Sequence, residues 1–151
     1  MSFKVKIEID ENAEPEIVIR CKSLTDEVAR VQAMLSSIKA DEIELSSGDE
    51  IHFIAINDIL FFETYGNKTA AHTKTRMYYS DLKLYEIIDQ MPQSFMRISK
   101  SCIVNTKAIS SIRRDITGVC EAFFAGTPKK VYISRSYYKA FRENLNETRL
   151  K

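Results

Sequence analysis

From residue 43 to residue 134 the chain is cut into short β-prone runs separated by turn residues, and this spacing leaves little choice of fold class. IEL at 43–45, IHFIAI at 51–56, ILFFET at 59–64, KTAAHT at 68–73 and RMYYS at 76–80 follow one another closely. Gly48 with Asp49 and the run Tyr65-Gly66-Asn67-Lys68 supply hairpin-type turns between them. GVCEAFF at 118–124 and KKVYIS at 129–134 flank a further turn at Ala125-Gly126-Thr127-Pro128. Short runs bounded this way predict a mostly β unit. Two helices are expected beside it. In DLKLYEIIDQMP at 81–92, Ser80 is the expected N-cap, Leu84, Ile87, Ile88 and Met91 form the apolar stripe, and Pro92 ends it. After Ser134-Arg135-Ser136 a last helix is expected to bury Tyr137, Phe141 and Leu145, with Ser136 as its cap.

The first part of the chain has a different texture. FKVKIEI at 3–9 alternates strictly, with Phe3, Val5, Ile7 and Ile9 on one face. A polar turn follows, EIVIRC at 16–21 reads as a second strand, and the two are expected to form a hairpin. Ser23-Leu24-Thr25-Asp26 has the form of a helix start, and Leu24, Val28, Val31, Leu35 and Ile38 make a narrow apolar seam behind it. The expected organisation is thus a small β-β-α unit over residues 1–41 and the mostly β unit over 42–151. An isolated hairpin is not stable, so the seam is expected to cover it, to form a dimer contact, or both.

Few enzymatic chemistries fit. Cysteines at 21, 102 and 120 match neither a disulfide framework nor a metal site, and no P-loop, dinucleotide fingerprint or nucleophile elbow is present. His52 and His72 have no neighbour at metal-ligand spacing. Asp41-Glu42 and Asp49-Glu50 fall at the unit boundary and in a turn, where solvated carboxylates are ordinary. No enzyme, cofactor, metal or small-molecule substrate is expected. The N-terminus alternates where a signal peptide would be continuously apolar, and cytoplasmic residence is expected.

Charge points elsewhere. The net charge is +1, but residues 1–60 hold 6 Lys and Arg against 13 Asp and Glu, while residues 61–151 hold 16 against 8. A basic second part suggests an anionic partner. Its most unusual stretch is FMRISKSCIVNTKAI at 95–109, which places Arg97, Lys100 and Lys107, with Ser99, Ser101, Asn105 and Thr106, inside what otherwise reads as buried strand. A lysine is seldom buried unpaired, so either Lys100 snorkels or the strand is interrupted there so that it faces solvent or a ligand. Arg113 and Arg114, Lys129 and Lys130, and Arg135 at a strand-to-helix joint add further cations. If these converge they can neutralise phosphates while Asn67, Lys100 and Arg135 reach base edges.

The order ILFFETYGN, DLKLYEIIDQMPQSFMRISKSCIVNTKAISSI and KKVYISRSYYKAFRENL resembles the LytTR family of bacterial DNA-binding domains over about residues 42–146. The resemblance implies an elongated fold of stacked small sheets that inserts loops into successive major grooves of a direct-repeat site. It places Asn67 or Lys68 at the first base-reading position, Lys100 at the central one and Arg135 at the third. Arg97, Ser99, Ser101, Arg113, Arg114, Ser134 and Ser136 would then meet the DNA backbone. No receiver domain fits in 41 residues, so the chain resembles the short LytTR transcription factors, commonly controlled by a membrane partner protein. A homodimer joined through the N-terminal unit is expected. The rival expectation is a protein-interaction or sequestration module with vestigial DNA affinity.

Overall fold

The computed structural model describes residues 3–36 and 42–149. The chain forms two compact units, residues 1–35 and 36–151.

In the first unit one helix, α1 (Asp26–Ser36), is present, but the two expected strands do not form a ladder. Residues 3–9 and 16–21 remain unpaired on either side of a turn in which Ala13 N–H donates to the Asp10 carbonyl at 3.1 Å. The reason lies in the register. A hairpin closed by that turn sets Ile7 opposite Glu16 and Lys6 opposite Ile17, mixing the apolar face of one strand with the polar face of the other. The helix also starts later than its Ser-x-x-acid signal implies: Thr25, not Ser23, is the cap, its hydroxyl accepting from Val28 N–H at 3.3 Å. Val28 is buried, Val31 and Leu35 are half-buried and Leu24 is exposed. Ile38, the end of the expected seam, lies outside the described residues.

The second unit is the mostly β architecture that the short runs imply. Its strands are β1 (Glu42–Ser47), β2 (Glu50–Ala55), β3 (Phe61–Tyr65), β4 (Lys68–His72), β5 (Met77–Ser80), β6 (Phe95–Ser99), β7 (Cys102–Asn105), β8 (Ile109–Arg114), β9 (Cys120–Phe124) and β10 (Lys130–Ile133). The first seven form an antiparallel sheet in the order β2-β1-β5-β4-β3-β7-β6, and the last three a separate sheet ordered β10-β9-β8. The β1–β2 hairpin joins the larger sheet through a single pair, Ser46 opposite Tyr79. Helix α2 (Leu84–Gln90) starts after Lys83, whose N–H donates to Glu86 at 3.2 Å. Ser80, expected as the cap, instead accepts from Leu82 N–H at 3.1 Å, because the turn before the helix needs that acceptor. Helix α3 (Arg135–Thr148) closes the unit.

β3 and β7 explain why the sequence here is apolar without alternation. Phe61 and Val104 enter one core with Ile98, Phe124, Ile133 and Phe141. Phe62 and Ile103 point the other way, into a core with Leu84, Ile87 and Phe95. A strand buried on both faces reads as a continuous apolar run, as ILFF does. Asn105 ties the centre together: its side-chain amide donates to the Ile59 carbonyl at 3.0 Å and its oxygen accepts from Lys107 N–H at 3.2 Å.

Candidate nucleic-acid interface

The stretch 95–109 resolves into a hairpin. Lys100 and Ser101 form the two-residue turn between β6 and β7, a β-bulge falls between Arg97 and Ser99, and Lys100 faces solvent. The turn is braced by its own polar groups: Arg97 donates to the Lys100 carbonyl at 2.9 Å, and Ser101 N–H donates to the Ser99 hydroxyl at 3.2 Å. Asn105 and Thr106, polar in the same stretch, are buried and serve the core, Thr106 donating to the Ser94 carbonyl at 2.7 Å.

Backbone hydrogen bonds fix two other loops beside this turn. β3 runs antiparallel to β7, with Glu63 opposite Cys102, so the β3–β4 turn at Gly66-Asn67 emerges at the same end of the sheet. Thr64 N–H donates to the Ser101 carbonyl at 2.9 Å. Gly66 has φ +60, the left-handed conformation that this tight turn requires. On the other side Ser134 N–H donates to the Ile98 carbonyl at 2.8 Å, which anchors the β10–α3 joint against β6. Ser134 is the N-cap position of α3 and its carbonyl accepts from Tyr137 N–H. Ser136, expected as the cap, lies inside the first turn, two positions after the actual cap, and its hydroxyl sits 3.1 Å from that of Ser134.

Arg135 opens α3 and donates to the Thr117 carbonyl at 2.7 Å. That carbonyl is placed by a loop the sequence reading passed over. Asp115 accepts from Thr117 N–H at 2.9 Å and Val119 N–H at 3.1 Å, and its bond from the Thr117 hydroxyl, the largest cause, holds its carboxyl below the usual range. Gly118, at φ +87, completes the loop, and a side chain there would sit 3.8 Å from the Arg135 guanidinium and 4.0 Å from that of Arg114. The signal for this loop was Asp115-Ile116-Thr117-Gly118, an Asx-type turn sequence.

The cations expected to meet DNA differ in their partners. Lys68 pairs with Asp81 at 3.6 Å, and Arg113 and Lys130 with Glu121 at 3.0 and 3.5 Å. Lys129 turns inward, donating to the Thr73 and Arg76 carbonyls at 2.8 and 2.9 Å and lying 3.3 Å from His72, whose other nitrogen meets Glu63 at 2.8 Å. Burial lowers the pKa of both His72 and Lys129. Arg97, Lys100, Arg114 and Arg135, by contrast, have no carboxylate partner among the described residues; Arg114 lies 4.3 Å over the Tyr138 ring. Asn67 keeps its side-chain amide outward while its carbonyl accepts from Lys83 at 3.4 Å. Cys102, next to this turn, is buried and its thiol is pushed up to about 12, chiefly by burial, which keeps it protonated and unreactive.

The profile of the LytTr DNA-binding domain family matches residues 49–146. The chain belongs to the LytTR family. Among curated proteins, a protein named as an uncharacterized HTH-type transcriptional regulator of Staphylococcus aureus (strain bovine RF122 / ET3-1) is 35% identical over 97 residues, 64% of this chain and 65% of that protein. A protein so named in strain NCTC 8325 / PS 47 is 34% identical over the same shares. The LytTR chain therefore spans just under two-thirds of the length of these relatives. Among solved structures, a LytTr DNA-binding domain described as that of a DNA response regulator from Bacillus cereus superposes with a TM-score of 0.66 and 23% identity, covering 72% of this chain and 99% of that one. This likeness bears on the fold. It bears out the stacked-sheet LytTR architecture that residues 42–146 imply, and in that architecture α2 is followed by β6 and not by a second helix. No helix among the described residues is long and apolar enough to cross a membrane.

Proposed function

We propose that this LytTR protein is a sequence-specific, double-stranded-DNA-binding transcriptional regulator that reads direct-repeat sites in the major groove with loops. The observation that carries the reading is that Arg97, Lys100, Arg114 and Arg135, at the β6–β7 turn and around the β10–α3 joint, have no carboxylate partner among the described residues, whereas Lys68, Arg113 and Lys130 pair with Asp81 or Glu121. Lys100 and Arg135 are suited to guanine edges. Lys68 is tied to Asp81, which favours Asn67 for the first position, where its amide suits an adenine. Arg97, Arg114, Ser99, Ser101, Ser134 and Ser136 would meet phosphates, with Arg113 adding least because Glu121 neutralises it. The protein works in the cytoplasm as a homodimer joined by its first unit, and catalyses no reaction.

The test is selection of bound duplexes from a random pool. The expected product is a direct repeat with half-sites spaced by about one helical turn, roughly 10.5 bp. Arg135→Ala is expected to cost about 1–3 kcal/mol in affinity and to relax preference at one base pair. Failure to enrich any sequence, with binding indifferent to salt, would favour an interaction module over a DNA reader.

A further inference from the structure

The first unit leaves its most apolar chain uncovered. Val5, Ile7 and Ile9 are 88%, 82% and 92% exposed, and Ile17 and Val18 are 69% and 64% exposed. Residues 3–8 and 16–23 instead flank an open groove of about 1000 Å³ whose floor includes Val28, Val31 and Leu35. A unit that closed its own core would not leave a void of that size between its segments.

Pairing the two segments within one chain does not cure this. The register set by the Asp10–Ala13 turn mixes faces, and the neighbouring register that restores them sets Lys4 opposite Arg20 and Glu8 opposite Glu16. Like charges directly opposite destabilise a strand pair. Residues 4–10 are, however, complementary to themselves. Two copies laid antiparallel about Ile7 place Lys4 opposite Asp10, Val5 opposite Ile9, Lys6 opposite Glu8 and Ile7 opposite Ile7. Every charge then faces its opposite and every apolar side chain an apolar one, with no proline in the ladder. The residue 16–20 segment shares some of this pattern, but Pro15 at its start removes a donor.

We propose that two copies of this chain pair residues 4–10 as antiparallel strands across a two-fold axis through Ile7, and that the joined strands and the α1 seams close the groove as one dimer core. The occupant of the exposed face is thus a second copy, held by an isologous contact. The proposal rests on the homodimer reading above and specifies its register.

The test uses the full chain with Cys21→Ser, because Cys21 is exposed whereas Cys102 and Cys120 are buried. Directly opposite residues of an antiparallel pair have Cα atoms about 4.5–5.5 Å apart, within the range a disulfide spans. Ile7→Cys is therefore expected to form a disulfide-linked dimer under mild oxidation. Val5→Cys and Ile9→Cys, each about 13 Å from its own counterpart, are expected to cross-link only when mixed with one another. Lys6→Glu sets two glutamates opposite each other twice about the axis, so sedimentation should show dimer affinity falling about tenfold, and Glu8→Lys in the same chain should restore it. These are exposed positions, so folding is not at stake. A dimer that cross-links at Val18→Cys but not at Ile7→Cys overturns the register while leaving the homodimer intact. A chain that stays monomeric at about 100 μM, where micromolar dimers are saturated, overturns both, and duplex selection then judges DNA reading independently.

Discussion

Arg113 and Arg114 are adjacent on β8 and carry the same charge, yet they should differ sharply in what they give to DNA binding. Arg113 is held by Glu121 at 3.0 Å, whereas Arg114 lies over Tyr138 with no carboxylate partner among the described residues. With Arg97 and Arg114 as the cations that meet phosphates, while Lys100 and Arg135 reach bases, one LytTR unit should show a slope of log affinity against log salt of about −1.8, at about 0.9 per phosphate. Between 50 and 200 mM salt that amounts to a loss of about 12-fold. Arg114→Gln should flatten the slope to about −0.9 and the loss to about 3.5-fold. Removing the ion pair together, Arg113→Gln with Glu121→Gln, should leave the slope unchanged. Arg114→Gln also gives up the ring contact, worth about 0.5–1 kcal/mol of stability, so a thermal melt must confirm that the variant is folded at the titration temperature. Fluorescence anisotropy on one labelled half-site duplex across a salt series measures all three slopes. Equal flattening by Arg114→Gln and by the neutral double replacement would refute the distinction between paired and free cations on which the DNA-facing edge is assigned.

Two further outcomes concern the scaffold. Asn105→Ala leaves the Ile59 carbonyl and Lys107 N–H without their partner in a buried site, and should cost about 1–3 kcal/mol in urea unfolding. His72 is held neutral by burial, which outweighs its bond to Glu63, and the nearby Lys129 acts in the same direction as burial. Its pKa is depressed on folding from an ordinary 6.5, so its stabilisation is complete above that value and is lost as pH falls from 6.5 through the folded pKa. Thermal melts should therefore weaken below about pH 6.5, and His72→Gln should flatten that dependence.

The sheets were legible because each run is short and bounded by a turn residue with a specific conformation, as at Gly48 and Gly66. Lys100 was legible in part: a charge that is not buried unpaired among Ile98, Cys102 and Val104 either snorkels or marks an interruption, and the fold makes it a turn. Three features were not legible. The helix caps slipped because Ser23, Ser80 and Ser136 have suitable side chains, while backbone geometry chose Thr25, Lys83 and Ser134. Lys129 and Arg114 looked alike as cations, and only the fold sends the first inward to His72 and the second outward over Tyr138. The first unit failed for a different reason. Alternation at 3–9 suggests a strand face, but those residues are unpaired in the first unit, and alternation does not say which chain would supply a neighbouring strand.

Turn spacing joins the two proposals. The β3–β4 and β6–β7 turns are separated by two strand spacings, about 10 Å, which fits within a single major groove about 12 Å wide. If these two turns share one groove, as the proposed function has it, one LytTR unit reads one half-site and a repeat requires two copies. A pair joined about a two-fold axis through Ile7 would, if the symmetry extended to the reading units, favour an inverted repeat, because operator symmetry mirrors protein symmetry. Reading a direct repeat instead requires that the two-fold end with the first unit, so that each second unit docks by its own contacts. The two cases separate in a competition between duplexes that carry the same selected half-site in direct and in inverted orientation. The direct repeat is expected to win, and Ile7→Asp, which breaks the proposed strand pair, should lower affinity for the direct repeat towards that of a single half-site without changing base preference within it. Preference for the inverted repeat would mean that the two-fold runs through the whole dimer, and would remove the direct-repeat reading while leaving the Ile7 axis in place.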